Sequence, residues 1–167
     1  MKKYLTIGNI LLYGAVLLTL IAIIVGLCAP AISYTVEALG KTTTTTYSGA
    51  QIAFGYTAKA ETSFGTLSGE VWKFSFMNLL TYIFALIGIV FAVLAFFGIL
   101  NKISSFIAAA CFLVAGVFFF CSVPFTIPAA EKATMEGWKL GAGAIVGGIF
   151  AILSAACCVV KALVFKK

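Results

Sequence analysis

The chain has 167 residues, of which 63% are hydrophobic and 10% are charged, and its mean hydropathy is +1.17. Soluble domains contain roughly 45–50% apolar and about 25% charged residues, so this composition excludes a water-soluble globule. The net charge of +6 comes from lysine and glutamate alone, because the chain contains no arginine, aspartate or histidine. Its length predicts a single domain, since domains usually have about 100–200 residues.

Four long stretches of the chain contain no residue that is charged at neutral pH. Each is rich in Leu, Ile, Val, Phe and Ala and exceeds the roughly 20 residues that a helix needs to cross a hydrocarbon core. Lipid offers the backbone no hydrogen-bond partner, so each stretch should form a helix. We therefore predict an α-helical integral membrane protein, a four-transmembrane-helix bundle with spans near residues 5–29, 76–100, 104–123 and 140–160.

The first span has an alternative interpretation as a cleaved signal peptide. Lys2 and Lys3 precede an apolar run, and the small residues at 29–31 are compatible with a cleavage site. The apolar stretch at residues 10–27 is, however, longer than the about 7–15 residues of a typical signal core. We therefore interpret residues 5–29 as a retained transmembrane helix.

The lysines around this span also predict the orientation of the protein. Lys2 and Lys3 abut the span, whereas the nearest lysine beyond it is Lys41. Positive residues beside the first span usually stay in the cytoplasm, so four spans put both termini on the cytoplasmic side of the cell membrane. The positive charge there is attracted to anionic membrane lipid and gives no reason to invoke a nucleic-acid partner.

The outer loop between the first two spans, residues 30–75, changes in composition to threonine, serine, glycine and tyrosine. Its threonine run at residues 42–46 is β-branched and favours a strand. Residues 51–56 alternate with period two, which places Ile52, Phe54 and Tyr56 on one face of a second strand. We predict a small antiparallel sheet here, and a disordered threonine-rich loop is the alternative.

Two tryptophans flank the predicted spans on the outer side. Trp72 precedes the second span and Trp138 precedes the fourth, where an indole ring is stable at the level of the lipid headgroups. Between the third and fourth spans, Pro128 suits the first turn of a helix and Gly137 suits the position just after its end. We predict a short outer helix over residues 128–137.

The fourth span carries a stripe of small residues with a spacing of four, namely Gly143, Gly147, Ala151 and Ala155. Small residues at this spacing let helix backbones approach closely in lipid. The stripe therefore predicts a helix-packing face, either within the bundle or at the interface of a homo-oligomer.

The residue inventory argues against catalysis. Without histidine or aspartate the chain cannot form a Ser-His-Asp relay or supply an imidazole to a metal. The five cysteines lie within or at the ends of the spans, which is unlike an extracellular module stapled by disulfides. A bond between Cys28 and Cys121 is geometrically conceivable, because both would lie near the outer leaflet. We predict no enzyme activity, no cofactor and no metal site.

The predicted layout of four spans, cytoplasmic termini, a β-forming first outer loop and a shorter second one resembles the claudin-like tetraspan architecture. The resemblance implies topology alone, because claudins carry a Trp…Gly-Leu-Trp-Cys-Cys signature where this loop has only Trp72 and no cysteine. The segment Ser-Gly-Ala-Gln-Ile-Ala-Phe-Gly-Tyr at residues 48–56, with its surrounding spans, is similar to small bacterial four-span membrane proteins. This resemblance implies no particular activity.

Two functions are compatible with these observations. The first is a non-catalytic membrane protein that is structural or binds a partner, a second copy or another membrane protein, through its outer loop. The alternative is a subunit of a small oligomeric channel or transporter. The spans lack the ionisable residues that usually mark an ion pathway, yet pores can also be lined by backbone groups or apolar gates.

Overall fold

The computed structural model describes residues 7–38, 41–62, 65–127 and 137–164. It contains six helices and five strands within these residues. In chain order they are α1 (Ile7–Cys28), β1 (Pro30–Ala38), β2 (Lys41–Ser48), α2 (Gly49–Phe54), β3 (Tyr56–Thr62), β4 (Gly65–Trp72), α3 (Phe76–Phe96), α4 (Asn101–Phe120), α5 (Ser122–Thr126), β5 (Trp138–Leu140) and α6 (Ala142–Val164).

Four of the helices, α1, α3, α4 and α6, are long and apolar enough to cross a membrane, which confirms the four predicted spans as helices. The second ends at Phe96, earlier than predicted, because residues 97–100 form a turn. In this turn Gly98 and Leu100 have φ angles of 81° and 47°, which a right-handed helix cannot accommodate. The fourth continues to Val164 and therefore includes Lys161.

Most buried residues of the bundle are small, whereas most of its large aliphatic side chains point outward. The buried residues of α1 are Gly8, Leu12, Ala15, Thr19, Ala22 and Gly26. Its most exposed large residues include Ile7, Leu17 and Ile24, each at least 60% exposed. Water would favour the opposite arrangement. Helices in lipid associate through close backbone contact, which small residues permit.

Helix α6 packs against both α1 and α4, and α3 packs against α4 and more sparsely against α1. Phe119 of α4 is 2% exposed and fills the space between three helices. Its ring meets Tyr82 of α3 edge-on, with ring centroids 5.6 Å apart, and lies against Gly26 of α1 and Gly147 of α6. The glycines leave the room that this ring needs, so α4 is held to all three neighbours at this level.

Two antiparallel sheets lie at one end of the bundle, which we call the sheet end. Strand β1 pairs with β2 along its length and with β5 over residues 32–34, giving the order β2-β1-β5. Strands β3 and β4 form a separate two-stranded sheet. The predicted antiparallel sheet between the first two spans is confirmed, and its threonine run at residues 42–46 lies in β2.

The predicted strand over residues 51–56 is wrong, because residues 49–54 form α2. Ser48 and Gln51 form a capping box, in which Ser48 Oγ accepts from Gln51 N at 3.4 Å and Gln51 Oε1 accepts from Ser48 N at 2.8 Å. These bonds satisfy backbone groups at the start of a helix and override the period-two pattern. Ile52 is consequently buried and Phe54 exposed, while Tyr56 begins β3, so the three residues share no strand face.

The predicted short helix over residues 128–137 lies outside the described residues except at its end. Gly137 has a φ of 99° and immediately precedes β5. Its carbonyl accepts a hydrogen bond from the backbone N–H of Thr35 at 3.1 Å. The chain therefore rejoins the sheet at this glycine, whose positive φ favours a residue without a Cβ.

Candidate functional site

Four aromatic rings from four separate strands meet above the bundle, and we call them the aromatic cluster: Tyr34, Tyr47, Trp72 and Trp138. Tyr34 stacks on Trp138 with ring centroids 4.5 Å apart. Trp72 meets Tyr47 at 5.3 Å and Trp138 at 5.4 Å, both edge-on. Such pairs add to the stability that area burial supplies. The cluster thus ties the base of the second hairpin to the three-stranded sheet.

The two tryptophans predicted as interfacial anchors therefore contact each other. Trp138 is in β5 and Trp72 ends β4, and both are partly buried. Trp72 Nε1 is buried and has no hydrogen-bond partner among the described residues. The sequence does not predict Tyr34 and Tyr47 as their partners. The available signal is that Tyr47 directly follows the threonine run that is predicted to form a strand.

The hairpin formed by β1 and β2 extends beyond the three-stranded part of the sheet. Pairing between β1 and β5 ends at Tyr34, so from Thr35 onward the ribbon has only two strands in the described residues. Residues 41–46 of β2 are all exposed. Across the ribbon, the hydroxyl oxygens of Thr35 and Thr44 lie 3.3 Å apart and share a hydrogen bond. This hairpin presents a threonine-rich strand with one free edge.

The second hairpin, formed by β3 and β4, is a two-stranded sheet of its own. It follows Gly55, whose φ is 89°, and it returns to the bundle at Trp72. Its described side chains near the end of β4, from Ser68 to Val71, are exposed. Both strands of this hairpin therefore have a neighbour on one side only within the part of the chain that the structure describes.

The predicted small-residue stripe of α6 is buried throughout: Gly143, Gly147, Ala151 and Ala155. Gly143 lies against the backbone of Ala29, and Gly147 against the ring of Phe119. Next to the stripe, Ser154 Oγ lies 3.0 Å from the carbonyl oxygen of Ala15 in α1 and 2.9 Å from that of Phe150. All of these contacts join helices of the same protein molecule.

A groove of about 420 Å³ opens at the start of α3, and we call it the polar groove. The groove is lined by residues 71–75 and by two residues of α5, Phe125 and Thr126. Beneath it Asn78 is 2% exposed, and its Nδ2 donates to Ser75 Oγ at 3.0 Å and to Thr126 Oγ1 at 2.9 Å. Asn78 Oδ1 has no partner among the described residues.

The opposite end of the bundle holds a buried lysine. The predicted fourth span ends at residue 160, just before Lys161, but Lys161 lies inside α6 and is 2% exposed. Its position follows the buried residues Ser154 and Cys158 at helical spacing, so it lies on the inward face. Extending the helical spacing of Ser154 and Cys158 past residue 160 predicts that Lys161 is buried.

Within the described residues the structure contains no disulfide and no metal-ligating cluster. All five cysteines are free, which includes Cys28 and Cys121. Among the described residues no group of three or more Cys, Asp or Glu side chains is placed to hold a metal ion. The titratable residues thus form no metal-ligating cluster in this part of the chain.

No protein-family model matches this chain, and no curated protein matches it. The class of protein therefore follows from the architecture alone. Four helices that are long and apolar enough to cross a membrane, together with a small antiparallel sheet, support a multi-pass membrane protein with a helix bundle. The outward-facing aliphatic residues of these helices agree with that class, because lipid solvates them.

Proposed function

We propose that this chain is a non-catalytic multi-pass protein of the cell membrane that binds a protein partner through its two β-hairpins. Both termini lie in the cytoplasm in this proposal, and the sheet end faces outward. The orientation is supported by Lys2 and Lys3 before α1. A claudin-like arrangement, with a β-rich first outer loop on four helices, is the topology that this proposal implies.

The single observation that carries the proposal is the free edge of β2. Among the described residues this strand pairs with β1 alone, and its residues 41–46 are exposed. Exposed edges are usually protected by proline, inward charges or bulges, because their unpaired N–H and C=O groups template further pairing. The edge carries one lysine, Lys41, at the first residue of β2, whereas residues 42–47 contain no proline and no charge. The unprotected stretch after Lys41 suits the addition of a strand from a partner.

The geometry of the hairpins supports the same partner chemistry. A two-stranded ribbon is marginally stable in water, and a third strand with matching hydrogen bonds stabilises it. Beyond Thr35 the first hairpin is such a ribbon, and so is the described part of the second. The partner is therefore an extended segment of another membrane protein or of a second copy of this chain.

The topology can be tested by cysteine labelling in a background where the five native cysteines are replaced. A cysteine at Thr44 in β2 and one at Lys102 in α4 should react with a membrane-impermeant maleimide from opposite sides of sealed vesicles. Both native side chains are exposed. Thr44 lies at the sheet end and Lys102 lies at the opposite end, because the long helix α3 comes between β2 and α4. Labelling of the two positions from the same side would contradict the proposed arrangement of spans.

Partner binding can be tested by photo-crosslinking in cells. A benzophenone amino acid at Thr44 or Ser68, both exposed on the hairpins, should give an adduct of one defined mass. The same probe at Ile149 or Leu153, which are exposed on α6, should not give that adduct. An adduct of twice the monomer mass identifies a second copy, and any other defined mass identifies a different partner.

The edge itself is tested by the change Thr43→Lys, with Thr43→Ser as the matched control. A lysine at an edge disfavours further strand pairing, so Thr43→Lys should remove the adduct formed at Thr44, whereas serine should preserve it. Adducts that survive Thr43→Lys would contradict strand addition at β2. Reproducible single-channel steps from the purified protein in liposomes would instead favour the alternative function, a subunit of an oligomeric channel.

A further inference from the structure

The hydrogen bonds of β1 establish which neighbouring strand each of its residues faces. Gly141 N donates to the carbonyl oxygen of Ala31 at 2.8 Å, just beyond one end of β5. At the other end of β5, Thr35 N donates to the carbonyl oxygen of Gly137 at 3.1 Å. Successive residues of a central strand present their N–H and C=O groups to the two neighbouring strands alternately. The odd-numbered residues of β1 in this region therefore face β5, and the even-numbered ones face β2.

The same alternation identifies the residues of β2 whose backbone faces the free edge. Tyr34 and Val36 of β1 face β2, where they are paired with Thr45 and Thr43. The N–H and C=O groups of these two threonines are therefore directed at β1. The backbone groups of the alternate residues of β2 point away from β1, toward a side that holds no further strand among the described residues. These outward-facing residues are Thr42, Thr44 and Thr46, and all three are exposed.

The three outward-facing threonines form an edge that is complementary to itself. In an antiparallel pair of β2 strands related by a two-fold axis at Thr44, this residue lies opposite its own copy and Thr42 lies opposite Thr46. All three can then exchange both backbone hydrogen bonds with the second copy. An axis at Thr43 or Thr45 would pair only two of the three with one another. Every opposed pair in this register is threonine with threonine, a combination that favours strand pairing.

The position of the charge on β2 agrees with the same register. Lys41 is the only charged residue of β2, and the axis at Thr44 places it opposite Tyr47 of the second copy. The two lysines are then six positions apart along the paired strands, about 20 Å at about 3.4 Å per residue. The pairing therefore avoids opposed like charges and sets each lysine beside an aromatic residue, which attracts a cation. Binding of an unrelated segment makes no such demand on the order of residues in β2.

We propose that the partner bound by β2 is a second copy of this chain, paired antiparallel through β2 around a two-fold axis at Thr44. The two three-stranded sheets then form one sheet with the order β5-β1-β2-β2-β1-β5. Such an interface uses the same surface on both copies and is closed, so it leaves no β2 edge for a third chain. The inference rests on the proposed function, because it assigns the partner of the edge described there.

The test is disulfide crosslinking of single-cysteine variants in the background without native cysteines. Opposed residues of a hydrogen-bonded pair have Cα atoms about 5.5 Å apart, within the roughly 4.4–6.8 Å that a disulfide spans. Thr44→Cys should therefore form a dimer when the purified protein in detergent is oxidised with copper phenanthroline and run on a non-reducing gel. Thr42→Cys alone should stay monomeric, because its two copies would lie at least about 14 Å apart. Thr46→Cys alone should stay monomeric for the same reason.

Two further variants complete the crosslinking experiment. The double variant Thr42→Cys/Thr46→Cys should form a dimer, because each cysteine then lies opposite the other type in the second copy. Lys102→Cys, at an exposed position on the opposite end of the bundle, measures crosslinking by random collision and should stay monomeric. All of these positions on β2 are exposed, so the substitutions should not prevent folding.

Two results would overturn the proposal. One is a monomeric Thr44→Cys variant, and the other is equal dimer formation by the three single variants of β2. The photo-crosslinking at Thr44 described above distinguishes these failures from a failure of the proposed function. An adduct of another defined mass, together with a monomeric Thr44→Cys variant, would reject the second copy and keep partner binding at the edge. The absence of any defined adduct would reject partner binding itself.

Discussion

Replacing Gly49 with alanine is expected to lower the melting temperature of the protein in detergent strongly. Gly49 is the first residue of α2, and a Cβ there would collide with the backbone carbonyl oxygen of Gly26 and with the hydroxyl of Tyr82. That hydroxyl already donates to the same carbonyl at 3.0 Å in a buried site. Because a backbone oxygen cannot rotate away, the free energy of unfolding should fall by about 3 kcal/mol, the upper part of the range for overpacking.

The control for this change is Gly14→Ala. Gly14 is inside α1, and a Cβ there would meet no atom within 4 Å. Alanine favours a helix over glycine, so this variant should melt at the wild-type temperature or above it. Thermal size-exclusion chromatography measures both variants. Equal melting of Gly49→Ala and wild type would show that α2 does not dock on the end of α1 as described.

The change Gly147→Leu should have the second large effect. A Cβ at Gly147 would lie 3.1–3.2 Å from three atoms of the Phe119 ring, and a leucine adds further carbons on the same side. The ring cannot retreat easily, since Gly26 and Tyr82 enclose it from two other helices. Separating α6 from α4 loses dispersion contacts for which lipid offers no hydrophobic compensation. We expect a loss of about 1–3 kcal/mol.

Ile149→Leu is the comparison for this second change, because it alters the same helix at a residue that is 46% exposed. The substitution preserves volume and the affected face points away from the interior, so the melting temperature should stay at the wild-type value. If Gly147→Leu also melts like wild type in the same assay, the small-residue stripe of α6 does not pack against α4.

The buried face of each long helix was only partly predictable. The stripe of four small residues in α6 was visible because it repeats every fourth residue. The corresponding buried face of α3 combines Asn78, Thr81 and Tyr82 with small residues, and no single residue type marks it. Phe112 and Phe119 are indistinguishable in sequence from the exposed phenylalanines of α4. Their burial depends on glycines in other helices, which local periodicity cannot reveal.

The polar groove illustrates the same limit at longer range. Lys73 and Ser75 are far in sequence from Phe125 and Thr126, yet they line one groove because α3 and α5 meet at the sheet end. The hydrogen bond from Asn78 to Thr126 joins residues 48 positions apart. Neither half of the groove has a recognisable motif, so its polar groups come together only when the helices are packed.

The four helices and the strand character of the threonine run follow from the sequence alone. Long stretches without charge have one stable form in lipid, and β-branched residues favour an extended backbone. The packing of the folded chain is needed to explain why Ile52 lies in a helix, why two tryptophans meet two tyrosines and why Lys161 is buried. These outcomes depend on hydrogen bonds and ring contacts between separate elements. Such interactions form only when the chain brings distant residues within a few ångströms of one another.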